Sequence, residues 1–169
     1  MTIQRSLPRP SVLTSVTSVL TGWLARNSIG VLRVSLGVVF LAFGVPKFFP
    51  GVSPAQELAV RTLETLSFGV LSGGTALLVT ALAECFIGLT LISGRLLKAG
   101  LLVLAVSLAG IMSPLVLFFT ELFPGAPTLE AQYVVKDIVL AAAGLVVAAK
   151  ALGARLVPGP AADARADRA

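Results

Sequence analysis

Four apolar stretches, each of membrane length, are separated by more polar segments, of which the first, 46–74, is long and the others short. The first, SIGVLRVSLGVVFLAFGV, covers 28–45, and Pro46 behind it cannot continue a helical hydrogen-bond ladder. The second, TALLVTALAECFIGLTLISG, covers 75–94, and a third at 96–120 follows so closely that the two must be antiparallel neighbours. The fourth covers 132–152. Since about twenty apolar residues cross the hydrocarbon core, the pattern predicts an all-α integral membrane four-helix bundle.

The flanking segments have different patterns. Over 1–27, Val12, Leu13, Val16, Val19, Leu20, Trp23 and Leu24 recur at helical spacing with Ser and Thr between them. This predicts an N-terminal amphipathic helix lying at the cytoplasmic interface, with Trp23 as its anchor. Arg5, Arg9 and Arg26 without any acid also give this stretch the composition of a transit peptide; a retained helix is the reading adopted. In the outer loop 46–74, Leu58, Leu63, Leu66 and Val70 can share one face of a short helix, with Glu57, Arg61 and Glu64 on another. The Pro- and Ala-rich end, 153–169, reads as a disordered cytoplasmic tail.

Composition agrees with the periodicity. Of 169 residues 56% are hydrophobic and 12% charged, about half the charge of a soluble domain, and the mean hydropathy is +0.97. The net charge of +5 therefore reports topology and not nucleic-acid binding. Arg5, Arg9, Arg26, Arg95, Lys98, Lys150, Arg155, Arg165 and Arg168 collect on one side of the spans, against Lys47 and Arg61 on the other. Both termini are expected to be cytoplasmic. Histidine is absent and Cys85 is alone, so no intramolecular disulfide forms and no metal or haem site within this chain is expected. Phosphate-loop and Ser/His/Asp patterns are lacking as well.

Candidate chemistry lies in the charges inside the apolar layer. Glu84 falls near the middle of the second span, where an acid costs about 2.5–3.5 kcal/mol on insertion scales. Arg33, Gly37, Phe40, Gly44 and Lys47 are spaced 4, 3, 4 and 3, which places them along one helical stripe. The glycines would let a neighbouring helix carrying the counter-charge approach closely, and Gly88 lies one turn beyond Glu84 on the same face. Depth counted from the helix ends allows Arg33 to reach Glu84 and sets Lys47 near Asp137, with Lys136 beside it or snorkelling outward. Pro114 leaves the Gly110 carbonyl without its usual donor and should kink the third span, toward Ser107 or Ser113. Such a cluster either relays protons, binds a small molecule, or only fixes helix register.

Three motifs together, RVSLGVVFLAFGVPKFFPG, ALAECFIGLTLISGR and QYVVKDIVLAAAG, resemble the DoxX-like family of small four-helix bacterial membrane proteins, which includes a branch linked to reactive-chlorine resistance. The resemblance implies a multi-pass protein of the bacterial inner membrane, with Arg33, Lys47, Glu84, Lys136 and Asp137 at the recurring polar positions. It further implies an accessory or anchor subunit of a quinone-linked or oxidative-stress redox system; the extended outer segment and the absence of His and of a second Cys depart from a self-sufficient redox enzyme, so catalysis by the chain on its own is not expected. A quinone would be the molecule bound at the cluster, and a redox partner protein would dock on the outer loop 46–74. The alternatives are a small proton-coupled exporter or permease using Glu84, and a purely structural membrane scaffold.

Overall fold

The computed structural model describes residues 12–49, 51–53 and 56–154. The start of the N-terminal segment and most of the tail lie outside these residues.

Helix α1 runs from Val12 to Gly44, 33 residues, or about 50 Å. The amphipathic stretch and the first span are thus one uninterrupted helix. No breaker separates them, and the Asn27 side chain donates to the Trp23 carbonyl at 2.9 Å, within the helix instead of capping a new one. Val16, Val19, Leu20, Trp23 and Leu24 remain exposed, and from Val16 onward the first buried residue is Leu36.

A 3-10 turn, Val45–Phe48, ends α1 with Pro46 in its first positions. Helix α2 spans Gln56–Leu66 and α3 spans Gly73–Ser93. Gly94 closes α3 in the left-handed conformation at φ +71° and donates to the Thr90 carbonyl, as a helix C-terminal glycine does. After a turn of three residues, α4 covers Leu97–Met112. Short helices α5, Pro114–Leu117, and α6, Phe119–Leu122, continue it. Helix α7, Leu129–Ala151, is capped by Thr128, whose hydroxyl accepts from the Ala131 amide at 3.1 Å.

The third apolar stretch is therefore not one straight helix. Pro114 withdraws a donor, and the Gly110 carbonyl instead accepts from the Ser113 hydroxyl at 2.7 Å and the Ser113 amide at 3.2 Å. That local repair lets the chain change direction without a buried unpaired carbonyl.

The fold is all-helical. Among the described residues three helices are long and apolar enough to cross a membrane: α1, α3, and α4 continued through Leu117. Helix α7, 23 residues long, completes the bundle against α4 and α1. The core comprises Leu36, Phe40, Ile87, Leu91, Leu104, Leu108 and Val147. Leu82, Leu89, Val139 and Leu145 point outward and are exposed, an arrangement suited to lipid.

Glycines set the closest approach. A Cβ on Gly88 would fall 2.8 Å from the Gly37 carbonyl oxygen, and one on Gly37 would fall 2.9 Å from that of Gly88. Antiparallel register follows: Gly44 lies against Glu84 and Cys85, Gly88 against Leu41, and Gly94 against Arg33.

Helix α2 covers the opposite end of the bundle from Gly94, packed on α3 and α4. Its Arg61 forms a bidentate pair with Glu121 of α6, at 2.5 and 2.9 Å, and stacks 4.1 Å over the Phe118 ring. The guanidinium holds the Glu121 carboxyl below its ordinary value near 4.5, and the carboxylate in turn raises Arg61.

Two outcomes follow from this packing. Gly88→Ala should lower thermal stability in detergent by about 1–3 kcal/mol through overpacking, whereas Gly30→Ala, with nothing within 4 Å of the new Cβ, should be neutral or slightly stabilising. A carboxyl lowered in the folded state stabilises above its unfolded pKa and loses that contribution as pH falls through the folded value. Any stability difference between wild type and Glu121→Gln should thus be present at neutral pH and vanish only in acid below about 4.5, as read by thermal melts across pH.

Candidate functional site

The site begins where α1 stops. Because Pro46 forces the turn at Val45–Phe48, Lys47 folds inward, and its residue is only 7% exposed. Its ammonium donates to Glu84 Oε2 at 2.7 Å and to the Phe43 carbonyl at 3.0 Å. Glu84, 5% exposed, is the twelfth of the 21 residues of α3, about 16 Å from one end and 14 Å from the other. Gly44 makes the contact possible: a Cβ there would stand 2.9 Å from the Glu84 Cβ and 3.1 Å from the Cys85 amide nitrogen.

The cation that meets Glu84 is therefore Lys47 and not Arg33. Counting depth from helix ends assumes that α1 and α3 end flush, and they do not. The glycine contacts slide them so that α1 ends level with the middle of α3. Arg33 instead lies against Gly94, ten residues or about 15 Å along α3 from Glu84, where the negative end of the α3 dipole favours a cation.

Helix α7 supplies the remaining charges. Half-buried Asp137 interacts electrostatically with Lys136, Lys47 and Glu84. The Lys136 ammonium sits 4.5 Å from the Phe43 ring centroid and 4.1 Å from that of Tyr133, a cation–π arrangement. Neither Lys136 nor Asp137 makes a hydrogen bond to another side chain among the described residues.

These four charges border a cavity of about 750 Å³ between α1, α2, α3, α4 and α7. Apart from them its wall is mostly aliphatic and aromatic, from Phe40 and Phe43 through Val103 and Val106 to Leu63 and Leu66. The hydroxyls of Thr62 and Thr80, also in the wall, already donate to their own helices. Pro114 lines the cavity as well, so the break in the third stretch shapes its roof.

A model of the DoxX family matches residues 28–121, more than half of the 169 residues. The chain belongs to the DoxX family. Neither the comparison with curated proteins nor that with solved structures finds a match. The matched region of this DoxX protein contains Arg33, Lys47 and Glu84, while Lys136 and Asp137 lie beyond it.

Sequence reasoning missed Tyr133, Ser107 and Thr80 as cavity residues, and it missed the Arg61–Glu121 pair. The amphipathic pattern of α2 was visible; that its apolar face lines a cavity depended on the bend at Pro114.

Breaking one member of the buried pair strands the other. Lys47→Met or Glu84→Leu should each lower stability by roughly 3–5 kcal/mol, while the double variant Lys47→Met/Glu84→Leu recovers much of the loss. Unfolding of each purified variant in detergent checks this; an additive double variant would show that the two side chains do not act as a pair.

Proposed function

We propose that this DoxX-family protein is an accessory or anchor subunit of a quinone-linked or oxidative-stress redox system, in which the cavity receives the head of a quinone-like molecule. The supporting observation is the pairing of an unspent donor and an unspent acceptor, Lys136 and Asp137, at the wall of a largely apolar cavity. A quinone carbonyl accepts from an ammonium, a quinol hydroxyl donates to a carboxylate, and an isoprenoid tail suits the aliphatic wall. Lys47 and Glu84, already satisfied by each other, fix the floor of the site.

The chain has no histidine and one cysteine, so electrons would come from a partner protein. The segment 46–74 would dock that partner, and the bacterial inner membrane, with both termini cytoplasmic, is the proposed setting. A proton-coupled carrier is the second reading, motivated by an ionisable pair buried beside the same cavity.

Binding of a short-chain ubiquinone analogue to the protein in nanodiscs tests the first reading. Lys136→Gln and Asp137→Asn should each weaken it by about tenfold, the loss of one charge-assisted hydrogen bond. Wild-type protein that binds no analogue, or variants that bind as wild type does, would refute it. Under the carrier reading Glu84→Gln abolishes pH-dependent flux in proteoliposomes, and unaltered flux removes that alternative.

A further inference from the structure

The cavity has one wall unlike the others. Helices α3, α4 and α7 are 16–23 residues long and contribute buried residues to the bundle core. Helix α2 has 11 residues and contributes none to that core; a helix of this length is marginal unless packed. It nevertheless lines one side of the cavity with Leu58, Ala59, Thr62, Leu63 and Leu66, while exposed Leu102 and Val106 of α4 leave the cavity partly open on another side.

The chemistry of that face allows it to part from the cavity. Thr62 is buried, but its hydroxyl donates to the Leu58 carbonyl at 2.6 Å, so moving α2 strands no polar group. Among the described residues, the only side-chain hydrogen bonds from α2 to another helix are those of Arg61 to Glu121. The same guanidinium covers Phe118. Residues with left-handed backbone flank α2: Gly51 at φ +77° before it, and Phe68 at +54°, Gly69 at +82° and Gly73 at +51° after it. Glycine adopts this conformation without steric cost and suits a pivot, whereas Phe68, 95% exposed, is held there against its preference.

We propose that α2 is a movable wall whose displacement widens the way into the cavity for a ligand, and that the Arg61–Glu121 pair stacked on Phe118 is its latch. The latch is anchored to α6, on the far side of the break at Ser113–Pro114. Its partner therefore belongs to the same segment that shapes the cavity roof. Identifying the ligand as quinone-like rests on the function proposed above; the latch itself does not.

The test reads access to the cavity without a ligand. In full-length protein carrying Cys85→Ala, Ser107→Cys places a thiol in the cavity wall, and Leu96→Cys, at a position 71% exposed, sets the unhindered rate. Labelling by N-ethylmaleimide in nanodiscs should be slower at position 107. Arg61→Gln or Glu121→Gln should speed it by about three- to tenfold, as loss of an exposed bidentate pair and its stacking shifts the opening equilibrium. The rate at position 96 should not change. The swapped pair Arg61→Glu/Glu121→Arg should return labelling toward the slow rate, which excludes general loosening of the fold.

Single variants that label at the parent rate would overturn the latch, and so would a swapped pair that labels as fast as they do. A protein that binds no quinone analogue but shows latch-dependent labelling loses the proposed function and keeps the gate. One that binds the analogue with latch-independent labelling loses the gate alone.

Discussion

The structure turns on the ion pair between Lys47 and Glu84. In a low-dielectric layer each charge alone is expensive, and their attraction offsets the loss of hydration only at contact distance with the remaining hydrogen-bond capacity used. The 2.7 Å pair is at contact distance, and the lysine also donates to a third group, the Phe43 carbonyl. The pair demands a chain that ends α1 beside the midpoint of α3. Pro46 stops the helix, the 3-10 turn swings Lys47 inward, and Gly44 removes the side chain that would hold the helices apart.

The same early stop of α1 leaves room for the cavity. Beyond Gly44 the bundle continues as α3, α4 and α7, with the shorter α2 packed on α3 and α4, while Val39, Phe40 and Phe43 of α1 line the cavity as well. The bend at Ser113–Pro114 then carries α5 and α6 to where Glu121 and Phe118 meet Arg61. Ion pair, cavity and movable wall thus share one origin, the offset between α1 and α3.

Helix existence was legible because apolar runs of membrane length have few competing interpretations, and the family resemblance drawn from three motifs agrees with the DoxX match at 28–121. Helix boundaries were less legible. Nothing in the residues 26–28 marks a break, and the amphipathic segment and first span form one helix because a change of apolar pattern is not a change of backbone conformation. The stripe of Gly37, Gly44 and Lys47 indicated a close interface, while the choice between Arg33 and Lys47 as the partner of Glu84 required the sliding register of two helices.

By itself the sequence determined the class of the molecule, its helices, and the presence of charges in apolar spans that had to find partners, since these follow from local hydropathy and from the cost of burying a charge. Tertiary structure alone decided which cation meets Glu84, that Arg33 lies at the end of α3, and that α2 walls a cavity beside the Arg61–Glu121 pair. Those outcomes depend on offsets of a few residues between neighbouring helices, and such offsets are set by packing across the interface and leave no periodic trace in either helix alone.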